Sequence, residues 1–253
     1  MAVIHFLHHS SFAVEFQDKV LLFDWFDPSR FPEVPFTGVL PDFSGKKQYF
    51  FASHKHRDHF DMDILKLAEN GGEVRYILSK DCKMSGGFLR KHGFDPEKFK
   101  TLITYVNPVS DYQVDDLSVH TLRSTDEGVA FYVETNDRTI YHAGDLNWWK
   151  WEGVGEIING RVERDYKHQL KYLEGKLINY AFVVLDPRLN ENAFLGLDYF
   201  MKQVLSDHVF PMHTWQDYDI IKKYKSRSDN KAFTDRIMEI TEENQVFSFE
   251  EEA

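Results

Sequence analysis

The sequence predicts a mixed α/β fold with layered sheets, organised as one domain over residues 1–253. Three observations predict it. Short apolar and aromatic runs of strand character fill the first half and recur near the C-terminus. Helical periodicity appears only in separated blocks between them. No interdomain linker, repeat or low-complexity tract interrupts the chain. Strands first, with helices spread among them, favours layered sheets over a simple alternating parallel sheet.

Taken in order, VIHFL and SFAVEF read as strands, QDK as a turn, and KVLLFDWF as a buried strand. Pro28, Pro32, Pro35 and Pro41 then mark an irregular connection. QYFFAS is a short aromatic strand. DMDILKLAEN, closed by Gly71 and Gly72, reads as a short helix with a glycine stop, and VRYILS as the strand after it. Strands follow at TLITYV, LSVHTLRS, GVAFYVE and RTIYHAG, with Asn136-Asp137 a hairpin turn between two of them. In RVERDYKHQLKYLEG, Val162, Tyr166, Leu170 and Leu173 fall on one helical face, which predicts a helix on a sheet's outer side. AFVVLD, DYFMKQVL and DHVFPMH give strand, helix and strand, and NQVFSF a last strand before an acidic tail.

The formal charge is −11, from 30 Lys and Arg against 41 Asp and Glu, with no basic block. Such a balance argues against a broad grip on nucleic acid and favours a small-molecule partner. Cys82 is the only cysteine, so an intramolecular disulfide is excluded, a reducing cytoplasm fits, and any metal site must use histidine and carboxylate. The opening MAVIHFLHHSSF has no basic leader, and no apolar stretch reaches the ~20 residues that span a bilayer. Aromatic residues at 15% are compatible with a homo-oligomer interface.

QYFFAS runs directly into HKHRDHF, which places His54, His56, Asp58 and His59 at the C-terminal edge of a strand. Side chains two apart on an extended segment project to the same side, so His54 and His56 can reach one cation. Asp58 and His59 serve a second after a change of chain direction. The bland alternative is a polar loop with incidental histidines, against which the H-x-H-x-D-H spacing is demanding.

This motif resembles the signature of the metallo-β-lactamase superfamily. IYHAGD, ending in Asp145, is similar to the family's segment carrying a metal-bridging aspartate, and FPMH, ending in His213, to its final histidine. HSSF, LLFDWFDP and VFPMH look most like the branch that contains L-ascorbate-6-phosphate lactonase and related hydrolases. The resemblance implies an αβ/βα four-layer sandwich: two mixed β-sheets packed face to face, with helices outside. It also implies two divalent metal ions, zinc first, with manganese or iron as alternatives. A hydroxide on the metals would attack an ester, lactone or phosphoester of a small anionic metabolite, with Asp58 and Asp145 as catalytic acids of the site. Phosphodiesterase or nuclease activity is the alternative among enzymes. Di-iron relatives usually carry a glutamate where His56 stands, which argues against oxygen chemistry. No G-x-S-x-G elbow is present, so a serine nucleophile is disfavoured.

The chain departs from the family pattern where another histidine is usual and LRSTDEGVAF stands instead. Asp126 is the expected substitute, with Thr125 one residue earlier and His120 in mid-strand as rivals. A carboxylate there would shift preference from zinc towards manganese or iron. Without a substitute, a metal-binding or ligand-sensing protein with little turnover is the non-enzymatic reading. Asp24 is a candidate orienter of a metal-bound imidazole, or a turn cap, and His142 either an orienter or a structural group. His9 and Arg188 are substrate contacts by resemblance to the lactonase-like branch. Trp148, with Trp149 and Trp151, either walls a substrate pocket or fills a contact with the next helix.

Overall fold

Short connections come first and crossovers second in each half of the chain, and this order dictates two sheets of the same plan. A tight turn can only return a strand antiparallel, whereas parallel neighbours need a longer crossover. The computed structural model describes residues 1–69, 72–135, 138–227 and 232–250. It divides into two compact units, Met1–Asn107 with Glu243–Ala253, and Pro108–Glu242.

The first unit holds seven strands: β1 (Ala2–His8), β2 (Ser11–Glu15), β3 (Lys19–Phe23), β4 (Lys47–Ala52), β5 (Val74–Ser79), β6 (Ile103–Val106) and, from the end of the chain, β13 (Val246–Phe249). Their order is β13-β1-β2-β3-β4-β5-β6. Pairings from β13 to β3 are antiparallel and those from β3 to β6 parallel. β1, β3, β4 and β5 therefore end on the same edge. All five residues of β3 are buried, as a strand covered on both faces requires. Leu22, Phe50, Tyr76, Leu78 and Phe99 belong to its core.

The crossovers of this unit carry short helices. The segment read as one helix over 61–70 begins as a 3-10 turn at Met62–Leu65 and continues as α1 (Lys66–Glu69). Its expected glycine stop begins at Gly71, outside the described residues. α2 (Gly86–Lys91) and α3 (Pro96–Leu102) were not expected. Ser85 caps α2 by accepting from Phe88 N–H, and Asp95 caps α3 by accepting from Glu97 N–H. α3 also takes the first two residues of the expected strand TLITYV.

The second unit repeats the plan with β7 (Ser110–Val114), β8 (Leu117–Arg123), β9 (Val129–Glu134), β10 (Thr139–His142), β11 (Leu177–Val184) and β12 (Leu205–Met212). The order is β12-β11-β10-β9-β8-β7, antiparallel from β7 to β10 and parallel from β10 to β12. Accordingly β8, β10, β11 and β12 end on one edge. The Asn136-Asp137 turn lies outside the described residues. α4 (Glu156–Leu170) follows β10, α5 (Leu195–Gln203) precedes β12, and α6 (Asp219–Ser226) follows it. Tyr166, Leu170 and Leu173 are buried as their spacing predicts, while Val162 is half-buried.

Two mixed sheets with helices make the fold class the α/β one expected. Among the described residues no helix is long and apolar enough to cross a membrane.

Candidate metal centre

Histidine and aspartate side chains collect at the strand ends of each unit. In the first, the chain leaves β3 through Asp24, whose φ of 46° turns its carboxyl inward. That carboxylate is fully buried and surrounded by donors: Ser53 N–H at 2.7 Å, Ser53 Oγ at 2.6 Å and His59 Nδ1 at 2.8 Å. Ser53 Oγ also lies 2.9 Å from His54 Nδ1. Its single proton goes to the carboxylate, so His54 Nδ1–H donates to Ser53 Oγ. One acid thereby sets both tautomers, directly at His59 and through Ser53 at His54, and leaves Nε2 of each ring with its lone pair. Asp24, expected either to orient an imidazole or to cap a turn, contacts His59 directly and His54 through Ser53.

After β4 the loop turns as its donors require. His56 O accepts from His59 N–H and Phe60 N–H, which reverses the chain and sets the His59 ring 4.1 Å from that of His54. Lys55 N–H donates to Asp81 Oδ2 and ties the loop down. His54 Nε2 and His56 Nδ1 meet at 3.0 Å. Nitrogens held at about 2.0–2.1 Å by one tetrahedral cation stand about 3.3 Å apart, so this pair is close to a ready-made edge. Asp58 Oδ2 lies 3.8 Å from His59 Nε2 and 3.5 Å from His9 Nε2. His9 is buried, so it is not the ordinary surface residue that was the alternative to a substrate contact.

In the second unit, β10 ends at His142 and the turn after it carries Asp145. His142 Nδ1 accepts from Gly144 N–H at 3.1 Å, so the ring holds the turn from inside and acts as a structural group. Gly144 takes φ of 50° there. Trp149 Nε1–H donates to Asp145 O, and Thr125 Oγ1–H to Asn147 O at 2.6 Å while accepting from Asn147 N–H. Gly196 of α5 presses on the same loop: a Cβ there would stand 1.9 Å from Asn147 Oδ1. Asp145 is buried, with Oδ1 3.5 Å from His213 Nε2.

His213 is held much as His59 is. Leu185 N–H donates to Met212 O, a register that sets Asp186 beside His213. His213 Nδ1–H donates to Asp186 Oδ2 at 2.9 Å. Burial alone would raise the Asp186 pKa, but hydrogen bonds from His213 and Arg188 outweigh it and hold the carboxyl well below the usual range. Asp186 was not anticipated. VVLD ends the β11 run just as LLFD ends that of β3, and this likeness was the available signal.

Other expectations fall differently. Asp126 sits exposed in the turn joining β8 to β9 and, among the described residues, belongs to no group of three or more clustered donors. Its neighbour Thr125 points to the Asp145 loop, as the turn alternates direction, but binds backbone there. His120 stacks on Tyr172 at 3.7 Å and bonds Asp111, a packed surface group. Trp148 lies against Lys167 of α4 and Tyr199 of α5, so it fills the helix contact. The aromatic wall beside His213 is instead Trp149 and Trp215, both edge-on to its ring, with Trp151 stacked on Trp149. Arg188 gives Nε and Nη2 to Asp186 and lies over Trp215 at 4.4 Å. Cys82 is buried, which pushes its thiol far up and leaves it unsuited to attack.

Imidazole nitrogens with fixed tautomers, beside buried carboxylates, fit a divalent cation such as Zn²⁺, Mn²⁺ or Fe²⁺. Residues 3–149, more than half of the chain, match the profile of the family described as a beta-lactamase superfamily domain. The chain belongs to that family. The match takes in the His54–His59 loop and Asp145 of this metallo-β-lactamase superfamily member, within a superfamily of metal-dependent hydrolases. Solved structures share its fold. Igni18, a metallo hydrolase from Ignicoccus hospitalis, has a TM-score of 0.63 at 14% identity, covering 98% of this chain and 99% of that one. A possible metal-dependent hydrolase from Veillonella parvula has a TM-score of 0.60 at 10% identity, covering 98% and 100%. CmlA, a diiron β-hydroxylase from Streptomyces venezuelae, has a TM-score of 0.50 at 12% identity, covering 84% of this chain and 44% of that one. No curated protein matches the chain in sequence.

Proposed function

We propose that this superfamily member is a cytoplasmic hydrolase that cleaves an ester, lactone or phosphoester of a small anionic metabolite with two divalent cations. The residues that would hold the cations in this reading are His54, His56, Asp58, His59, Asp145 and His213. The observation that carries it is the repeated device of a buried acid holding a histidine by Nδ1: Asp24 with His59, and Asp186 with His213. Surface histidines have no need of such orientation; metal ligands do.

Bound cations supply two things, a lowered pKa for water and polarisation of the scissile group. The chain supplies the rest. Asp24, Ser53 and Asp186 keep the three imidazoles in the ligating tautomer. The Asp58 carboxyl, the least buried of the acids, is the group able to take the proton of attacking water and return it to the leaving oxygen. Arg188 keeps its Nη1 edge for an anion, because Asp186 takes only Nε and Nη2, and its side chain is 47% exposed. Trp151 and Trp215 flank that guanidinium and would shield the contact from water.

One observation favours a second reading. With Asp126 exposed and Thr125 engaged with backbone, the first cation lacks an imidazole that the family usually supplies, which suits a ligand-sensing protein with little turnover. The test is a substrate panel of phosphorylated lactones, simple esters and phosphodiesters, run on metal-free protein reloaded with Zn²⁺, Mn²⁺ or Fe²⁺. The hydrolase reading expects turnover of at least one class, abolished by a chelator and restored by metal. Metal uptake with no turnover of any class would replace it by the sensing one.

A further inference from the structure

His9 occupies a place that hairpin chemistry would give to glycine. It is the first of the two residues joining β1 to β2, and its φ is 49°. A two-residue hairpin with positive φ at the first central position is the arrangement in which glycine costs least. Left-handed backbone at a non-glycine residue persists mainly where function holds it. Nor does the ring reach for solvent, since its side chain is 0% exposed. Phe36 lies on one side at 5.5 Å and the His59 ring on another at 5.8 Å.

The strained turn therefore delivers an imidazole into a buried place beside Asp58 and His59. Donor atoms of His9, Asp58 and His59 all lie within 4.8 Å of one another. The 3.5 Å between His9 Nε2 and Asp58 Oδ2 is long for a charge-assisted hydrogen bond, which closes to about 2.7–2.9 Å. It is close to the roughly 3.3 Å that separates two ligands held at about 2.0–2.1 Å on one tetrahedral cation.

We infer that His9 is a metal ligand, forming with Asp58 and His59 a two-histidine, one-aspartate donor set for a divalent cation within the first unit. This inference rests on the metal-dependent reading above and extends it, because the motif of the histidine loop contains no residue from the β1–β2 turn.

The test uses His9→Asn, since asparagine tolerates the left-handed turn but brings no imidazole. Zn²⁺ is titrated into metal-free wild-type and variant chains against a chromophoric chelator. The expected result is two sites in the wild type, and in the folded variant one of them weakened at least about tenfold with the other unchanged. Anomalous diffraction from Zn²⁺-loaded wild-type crystals should place a His9 nitrogen about 2.0–2.1 Å from a cation, and decides the matter if the variant does not fold. Unchanged affinities in His9→Asn, or a His9 nitrogen more than about 3 Å from every cation, would overturn the assignment. If the wild type takes up no metal, the metal-dependent reading falls with it; if wild type and variant bind alike, His9 alone is excluded.

Discussion

A buried carboxylate is costly unless donors surround it, and Asp24 and Asp186 are each surrounded by donors that include a histidine. Their value lies in the charge, which raises the basicity of the imidazole they hold. Asp24→Asn and Asp186→Asn should each lower metal affinity about 10–100-fold in a chelator competition. The same variants should lose about 1–3 kcal/mol of stability to denaturant. A change in stability with metal affinity intact would reduce both acids to structural groups. Thr125→Val removes the hydroxyl that both donates to and accepts from Asn147, and should cost a similar amount, read in the same melt. Legibility at this scale followed locality. His54, His56, Asp58 and His59 were readable because one loop carries them. Asp186 was not, because it reaches His213, 27 positions away, only through the β11–β12 register. Asp126 was misplaced because sequence spacing cannot tell which of two turn residues faces inward.

Glycine marks where elements approach too closely for a side chain. A Cβ at Gly38 would stand 1.9 Å from His8 Nδ1 and 2.7 Å from Leu7 O. The His8 ring cannot yield, since Phe26 packs edge-on at 4.3 Å and Phe36 lies at 5.8 Å. Burial lowers the His8 pKa to about 3, so the ring is neutral in this packing. Gly38→Ala should therefore destabilise the protein by about 1–3 kcal/mol, measured by denaturant unfolding. Gly196→Ala should do the same and displace the Asp145 loop as well, seen as weaker metal binding that Gly38→Ala does not share in equal measure. Most strands were legible because buried strands write themselves as apolar runs; β7, polar and half-exposed as SDYQV, was missed. α2 and α3 were not: at six and seven residues they are too short to show a period, and only their Ser85 and Asp95 caps announce them. α4 starts five residues before its expected beginning, and that first turn was hidden because Ile157 and Ile158 are exposed there, against the amphipathic pattern.

For the molecule as a whole, chain order carried the fold class. Antiparallel strands at short spacing, then strands separated by helical blocks, occur twice, and each occurrence became one mixed sheet. The chain divides into two compact units, the first completed by the last strand of the chain, an arrangement that composition along the sequence does not reveal. The functional account depends on divalent cations held by the histidines and aspartates proposed above. The most direct measurement is metal content per chain by mass spectrometry after reloading metal-free protein, with Asp145→Ala alongside. The account predicts two cations in the wild type and the loss of at least one in a folded Asp145→Ala. Full occupancy in that variant, or no stoichiometric metal in the wild type, would contradict it.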